Sequence, residues 1–475
     1  MSELPARWTN TRLGEICSKP QYGWTSKASR AGRIKYVRTT DISNGQLDWD
    51  EVPFCELEPN DIEKFRVRED DILVSRAGSV GVSFRINDVP NDAVFASYLI
   101  RFNPLKCVLP KYIEFFLKSD KYWRAISEFS AGIAVPNVNA SKLAQLEIPL
   151  APLNEQGRIV AKLEKLLSRV DAAQARLATI PRILKRFRQS VLAAACSGRL
   201  TADWREEHPC PANENTNGDS PHELPESWSL RPFMSVSREI TVGYVGPMAK
   251  EYVSSGVPFL RSLNVRPFRF DPTNIKFISA DFHRTILKSR LSPGDVAIVR
   301  SGNSGIACVV PESLPEANCS DLVILRPSSE LDAGYACLFM NSAAAQAHVN
   351  SVKVGIAQGH FNVGSMKTTL IPLPPLTEQQ EIVRRVESLF KTADALEARY
   401  RKAKAHVDEL TQSILAKAFR GELLPQDPHD EPASVLLKRI REGGSKQQKT
   451  ASIGKRKAKN GVNSRKHEKQ ELLHS

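Results

Sequence analysis

The chain has 475 residues, and 66 Lys+Arg against 53 Asp+Glu leave a formal net charge of +13. At ~150 residues per domain this length predicts about three domains, and an excess of positive charge favours a polyanionic partner, most often nucleic acid. No run approaches the ~18 apolar residues needed to span a bilayer, no charged-then-apolar start resembles a signal peptide, and the eight cysteines lack any Cys-x-x-Cys pair, which fits a reducing cytoplasm.

Residues 1–150 read as a globular unit of mixed α/β character. Short β-rich runs at Ile34–Val37, Asp71–Ser75 and Tyr98–Phe102 alternate with Gly, Asn and Pro, and Tyr112–Phe129 has helical spacing. From 151 to 200 the pattern changes to one long helix. Its apolar residues Ile159, Leu163, Leu166, Val170, Ala173, Leu177, Ile180, Leu184, Phe187 and Val191 step by four and three, the seam of a coiled coil. Pro181 falls inside that seam, where a proline removes a helical hydrogen bond at ~3 kcal/mol, so a kink or restart is expected near Thr179–Pro181.

Residues 201–224 form a linker, polar and rich in Pro, Asn, Asp and Gly from Glu206 onward. A second globular unit spans 225–373, with β-rich runs at Val296–Val299 and Leu322–Leu325. A second helical stretch follows at 374–424, its seam running Ile382, Val386, Leu389, Ala393, Leu396, Tyr400, Ala403, Val407, Leu410 and Ile414. The last segment, 425–475, is Lys-, Gln- and Ser-rich from Ser445 and reads as a basic, largely disordered tail.

The two halves are copies. Pro152-Leu-Asn-Glu-Gln156 returns as Pro375-Leu-Thr-Glu-Gln379, and Ser190–Gly198 returns as Ser413–Gly421. Pro5-Ala-Arg-Trp8 matches Pro225-Glu-Ser-Trp228, and Asp71–Gly78 matches Asp295–Gly302. Each seam needs an apolar partner; the two helices are expected to pack on each other, antiparallel, over about 33 residues or roughly 50 Å. The fold class expected is α/β: two similar globular domains separated by a pair of long antiparallel coiled-coil helices, with internal pseudo-two-fold symmetry. Two similar domains on a rod resemble a covalently linked dimeric DNA reader.

The chemistry of an enzyme is missing. The only Pro-Pro, Pro374-Pro375, lacks the Asn/Asp and aromatic neighbours with which amino-methyltransferases grip a base. No Gly-x4-Gly-Lys-Ser/Thr loop exists for nucleotide phosphates, and no Pro-Asp dipeptide begins a nuclease motif. His208, Cys210 and His222 sit in the linker without a fourth ligand, so no metal site is expected. The chain reads as non-catalytic by itself; a free-standing two-module scaffold without DNA readout is the alternative.

The stretches Ile148-Pro-Leu-Ala-Pro-Leu-Asn-Glu-Gln156, Pro181–Gln189, Glu378–Glu387 and Ser413–Leu423 resemble the conserved helical regions of the specificity subunit of type I restriction–modification enzymes, enterobacterial-type subclass. The resemblance covers nearly the whole chain. It implies a bacterial, cytoplasmic protein in which each globular unit is a target-recognition domain for one half of a split, asymmetric site on double-stranded DNA. It also implies helices that set the gap and dock two modification (methyltransferase) subunits. Those partners, not this chain, bind S-adenosylmethionine and methylate adenine N6; restriction (motor-nuclease) subunits bring ATP and Mg, and this chain holds no cofactor.

Base readout needs two-pronged donors and acceptors, Arg or Lys for guanine and Asn or Gln for adenine. In the first unit this singles out the loop Gln21, Tyr22, Trp24, Thr25, Lys27 and Arg30, with Arg38, the turn Arg76–Ser79, and Asn137 and Asn139. In the second it singles out Tyr244, Lys250, Arg261, Asn264, Arg266, Arg300, Asn303, Ser304, Gln358, His360 and Asn362. Asn137 and Asn362 follow the same Gly-Ile-Ala, so these two serve either DNA or the fold.

Overall fold

The computed structural model describes residues 4–43, 45–90, 92–130, 137–211, 224–353 and 361–442. It divides into two compact units, one of Met1–Arg176 with Ala403–Ser475 and one of Leu177–Lys402. Each therefore takes one globular body and part of each long helix.

In the first unit, strand Ile72–Ser75 is central to an antiparallel sheet, flanked by Ser83–Arg85 and by Leu99–Phe102, which in turn pairs Gln21–Tyr22. A second four-stranded sheet orders Ala28–Ser29, Phe54–Cys55, Lys35–Val37 and Ala93–Phe95, its last pair parallel. The second unit repeats the first sheet with Ser237–Val242, Leu322–Pro327, Val296–Val299 and Ala307–Val309 in that order. Its second sheet has five strands, again with one parallel pair, Val257–Leu260 against Ala317–Cys319. The central strands are buried along their whole length, which explains their continuous Ile-Leu-Val character.

A short ribbon closes each body. Thr9–Arg12 pairs antiparallel with Glu147–Leu150, and Ser229–Pro232 with Leu370–Leu373. A tyrosine locks each ribbon: Tyr112 Oη donates to Pro149 O at 2.7 Å and Tyr335 Oη to Pro372 O at 2.6 Å. The glutamines of the repeated Pro-Leu-x-Glu-Gln motif do matching work. Gln156 Oε1 accepts from Leu109 N and its Nε2 donates to Ala151 O, both at 2.9 Å. Gln379 does the same with Asp332 N at 2.8 Å and Pro374 O at 2.9 Å. The motif is thus a buried clamp between helix and globular body, and the amide suits it because its oxygen accepts while its nitrogen donates.

The two long helices are Leu153–Cys196 and Leu376–Phe419. In the first unit, Ile159 and Leu163 share a core with Leu415 and Phe419, while further along Gln174 Nε2 reaches Asp408 Oδ1 at 3.5 Å. In the second unit, Arg188 bonds Asp394 and Glu397, and beyond the helix end Leu200 O accepts from Arg385. One numbering rises as the other falls, so the pairing is antiparallel within each unit. Burying an aromatic such as Phe419 contributes about 1.5–3 kcal/mol.

Five expectations change. The first helix runs through Pro181 without a restart, because packing of the flanking Leu184 and Val191 offsets the lost hydrogen bond. Leu396 and Phe187 are exposed despite their seam positions: a helix drifts ~20° per heptad from a strict 3.5 repeat, and two helices bury only one stripe each. The helical stretch Tyr112–Phe129 is two helices, Pro110–Phe116 and Asp120–Ser130, divided where the Ser119 hydroxyl donates to Phe116 O and accepts from Tyr122 N. Ala202–Glu207 is a helix, where a linker was expected. Part of the expected tail is also folded: 433–442 is helical, and Ala433 and Leu437 lie buried in the first unit's core. Residues 443–475 lie outside the described residues.

Candidate nucleic-acid interface

In each unit the central strand ends in an arginine and a glycine turn. Ile72–Ser75 runs into Arg76-Ala-Gly78, and Val296–Val299 into Arg300-Ser-Gly302. Gly78 has φ +76° and Gly302 φ +75°, the left-handed region that only glycine enters freely. Two turns later Gly81 N returns to Ser75 O, and Gly305 N to Val299 O. The backbone of each arginine is fixed by matching bonds. Arg76 N donates to Tyr98 O and Arg300 N to Asp321 O; Arg76 O accepts from Val138 N and Arg300 O from Phe361 N.

Around Arg76 several expected residues converge. Its guanidinium lies 4.9 Å from the Tyr22 ring centroid, a geometry worth ~0.5–2 kcal/mol. Tyr22 Oη accepts from Ala140 N at 3.0 Å, and Asn137 bridges Ala77. Lys27 and Arg30 are exposed but lie on the other sheet, where Arg30 and Arg38 share a groove with Asp50 and Glu51. Ser79 is exposed at the turn. The turn after Arg300 lines a groove through Ser301, Asn303 and Ser304, with Arg266, Ser262, Gln346 and Asn350 opposite, while the Arg300 side chain is not part of that lining. Tyr244 bridges Ser320 and stacks edge-on against Phe282, and Lys250 is exposed in a separate turn.

Other expected readers are occupied. Asn264 is fully buried; its Oδ1 accepts from Arg261 N, and its Nδ2 donates to Asp271 O and Thr273 O, so it cannot reach a base. Gln21 spends both ends of its amide on Arg101 and Lys64 O, each at 2.6 Å. Arg38 forks onto Asp41 at 2.7 and 3.1 Å, and that hydrogen-bonded carboxylate raises the Arg38 pKa. Arg261 bonds Asn274 O, and Arg266 pairs Asp271, whose carboxyl is held down to about 2 by its hydrogen bonds to Thr273 and then Arg266.

Asn139 and Asn362 are the true equivalents, and both cap helices: Oδ1 accepts from Lys142 N at 2.8 Å and from Ser365 N at 2.9 Å. The equivalence of Asn137 with Asn362 is therefore corrected by two residues. Trp24 donates to Leu57 O and packs on Phe65, and Thr25 is exposed. Gln358 and His360 lie outside the described residues.

Sequence reasoning missed Tyr98 and Asp321, which immediately precede the strand paired to each arginine strand. Tyr98 is 61% exposed, and Asp321 accepts from Ser301 and Ser262. Only the half-to-half spacing could have pointed to them. Among the described residues no group of His, Cys, Asp and Glu is disposed to hold a metal, and no helix is long and apolar enough to cross a membrane.

A duplicated α/β body on a paired helical frame, with open arginine turns at matching places, defines a two-part recognition protein. The family model for the type I restriction modification DNA specificity domain matches residues 5–182 and 291–405, and the chain belongs to that family. The specificity subunit of the type I restriction enzyme EcoKI from Escherichia coli K12 is 32% identical over 89% of this chain and 90% of its own length. That of StySPI from Salmonella potsdam is 31% identical over 92% and 96%. Among solved structures, a chain from work on assembly and conformational transition of the type I R-M system superposes with TM-score 0.64 at 20% identity, covering 89% of this chain and all of that one. The HsdS subunit from Thermoanaerobacter tengcongensis gives 0.58 at 21%, covering 89% and 98%. The chain is a DNA-specificity subunit of a type I restriction–modification system, a recognition subunit rather than an enzyme.

Proposed function

We propose that the two units read the two halves of a split DNA site, one each. The observation that supports this reading is the recurrence of one strand-end arginine turn in two bodies whose surrounding loops differ. In the first unit the interface centres on Arg76, Tyr22, Asn137 and Ser79, with Lys27 and Arg30 as outlying cations. In the second it centres on Arg300 and Asn303.

The helices dock two modification subunits, which bind S-adenosylmethionine and methylate adenine N6, and restriction subunits bring ATP and Mg. This chain carries specificity alone and works in the bacterial cytoplasm.

The test is genome-wide mapping of N6-methyladenine in cells with and without the chain. One bipartite motif that appears only with the chain is the expected result. Substituting Asn303 should change bases in one half of that motif only; changes spread over both halves would overturn the division of labour.

A further inference from the structure

We infer that Arg76 and Arg300 carry the sequence-independent part of the interface, each gripping a backbone phosphate at the same place in its own half-site. The inference rests on the DNA-reading function proposed above and assigns a role within it.

The first observation is that the fold does not use these guanidinium groups. Among the described residues neither has a hydrogen bond or ion pair, and the Nε of each is buried without a partner. Other arginines of the same bodies are committed: Arg85 to Asp70 and Glu114, Arg101 to Asp71, Arg326 to Glu239 and Asp295. A guanidinium stays charged and presents five donors, so a buried N–H without an acceptor costs ~1–3 kcal/mol or more. Two copies of one fold both bear that cost. A shared ring contact does not explain it, since Arg76 lies against Tyr22 while among the described residues no ring contact holds Arg300.

The second observation is space. A Cβ built on Gly78 or Gly302 would meet nothing within 4 Å, so the surface beside each arginine is open. By contrast, the glycines at the far end of each turn are hemmed in: a Cβ on Gly81 would strike Ile126 at 2.8 Å, and one on Gly305 would strike Val349 at 2.9 Å. Each turn is pinned on its inner side and free on its outer side.

The third is a comparison between halves. Two bodies that read different base sequences must differ where they read. They do differ beside the arginine: Ser79 stands where the second unit has Asn303, Tyr98 where it has Asp321, and Trp24 where it has Tyr244. The arginine, its backbone bonds and its glycine are the same. What two unlike half-sites share is the sugar–phosphate chain, and a forked guanidinium suits a phosphate.

The test uses the full-length chain assembled with its modification subunits. Binding is measured from about 50 to about 200 mM NaCl on a duplex carrying the mapped motif and on one with both halves scrambled. R76Q and R300Q are expected to weaken both duplexes by the same factor, roughly tenfold, and to lower the slope of log affinity against log salt by about 0.9. R76K and R300K should restore the slope, and the methylated motif should not change. A motif that relaxes in one half, with the scrambled duplex bound as before, would make the arginines base readers and overturn the inference. An unchanged affinity and slope would overturn it too. Wild-type protein that yields no bipartite motif would instead defeat the recognition reading itself.

Discussion

The Trp8 indole Nε1 donates to Glu155 Oε2 at 2.9 Å, tying the entry of the first body to the first turn of the first long helix. Trp228 and Glu378 repeat the bond at 2.9 Å in the second unit. The two carboxylates differ in their remaining partners. Among the described residues the one further donor to Glu155 is Gln426, whereas Glu378 also receives Thr201 and the Arg205 guanidinium at 2.5 Å. Burial correspondingly pushes the Glu155 carboxyl above its ordinary 4.5.

Removing the indole donor should therefore hurt the first unit more. Trp8→Phe is expected to destabilise by about 1–3 kcal/mol, and Trp228→Phe by less. A carboxyl whose pKa is raised on folding lends most stability below its ordinary pKa and loses it as pH rises through the raised value. The penalty of Trp8→Phe should thus be larger at neutral pH than near about pH 4. Denaturant unfolding at both pH values checks this; equal penalties for the two tryptophans would contradict it.

The capping asparagines make a separate case. Asn139→Ala and Asn362→Ala each lose one side-chain acceptor at a helix start and should cost ~1 kcal/mol. Asn139→Asp and Asn362→Asp keep that acceptor and should recover most of it. Melting curves compared with methylation maps decide the matter: a changed motif would show that these amides touch bases after all.

Leu437 is 5% exposed within the first unit's core, and Arg158 and Arg7 both hold Asp430. Leu437→Ala should cost about 2–5 kcal/mol. Removing 426–442 should lower protection against hydrogen exchange in the first unit while sparing the second. Uniform loss in both units would refute this.

Thiol chemistry offers a further check. Cys210 is exposed, while Cys17, Cys55, Cys107, Cys308, Cys319 and Cys337 are buried. Burial pushes the Cys107 thiol up to about 11 and Cys308 up to about 12, so neither is a thiolate at pH 8. Alkylation of native protein at about pH 8 should modify Cys210 ahead of these six, as peptide mass mapping would report. Early modification of Cys107 would overturn the assignment.

Much of the architecture was legible because duplication doubles every signal. The strands at 72–75 and 296–299 were readable as continuous apolar runs, and the helices as seams. The failures share one cause, which is that local pattern says nothing about what a residue meets. Pro181 looked like a break because the packing that tolerates it is remote in sequence. Leu396 looked buried because the heptad count ignores drift. At the interface, residue type alone could not separate Arg76, whose donors are idle, from Arg38, whose donors are taken by an aspartate three residues on. Asn264 read as a base reader only because its three backbone partners are invisible in a composition.

The first unit draws its core from both ends of the polypeptide: Leu13 and Ile16 share it with Phe419 and Leu437. During synthesis, the segment from 177 to 402 emerges whole before Leu437 exists. At roughly 5–20 residues per second the N-terminal body waits ten seconds or longer for its last pieces. A nascent copy on the ribosome therefore carries the whole of the second unit while the core of the first still waits for Leu437.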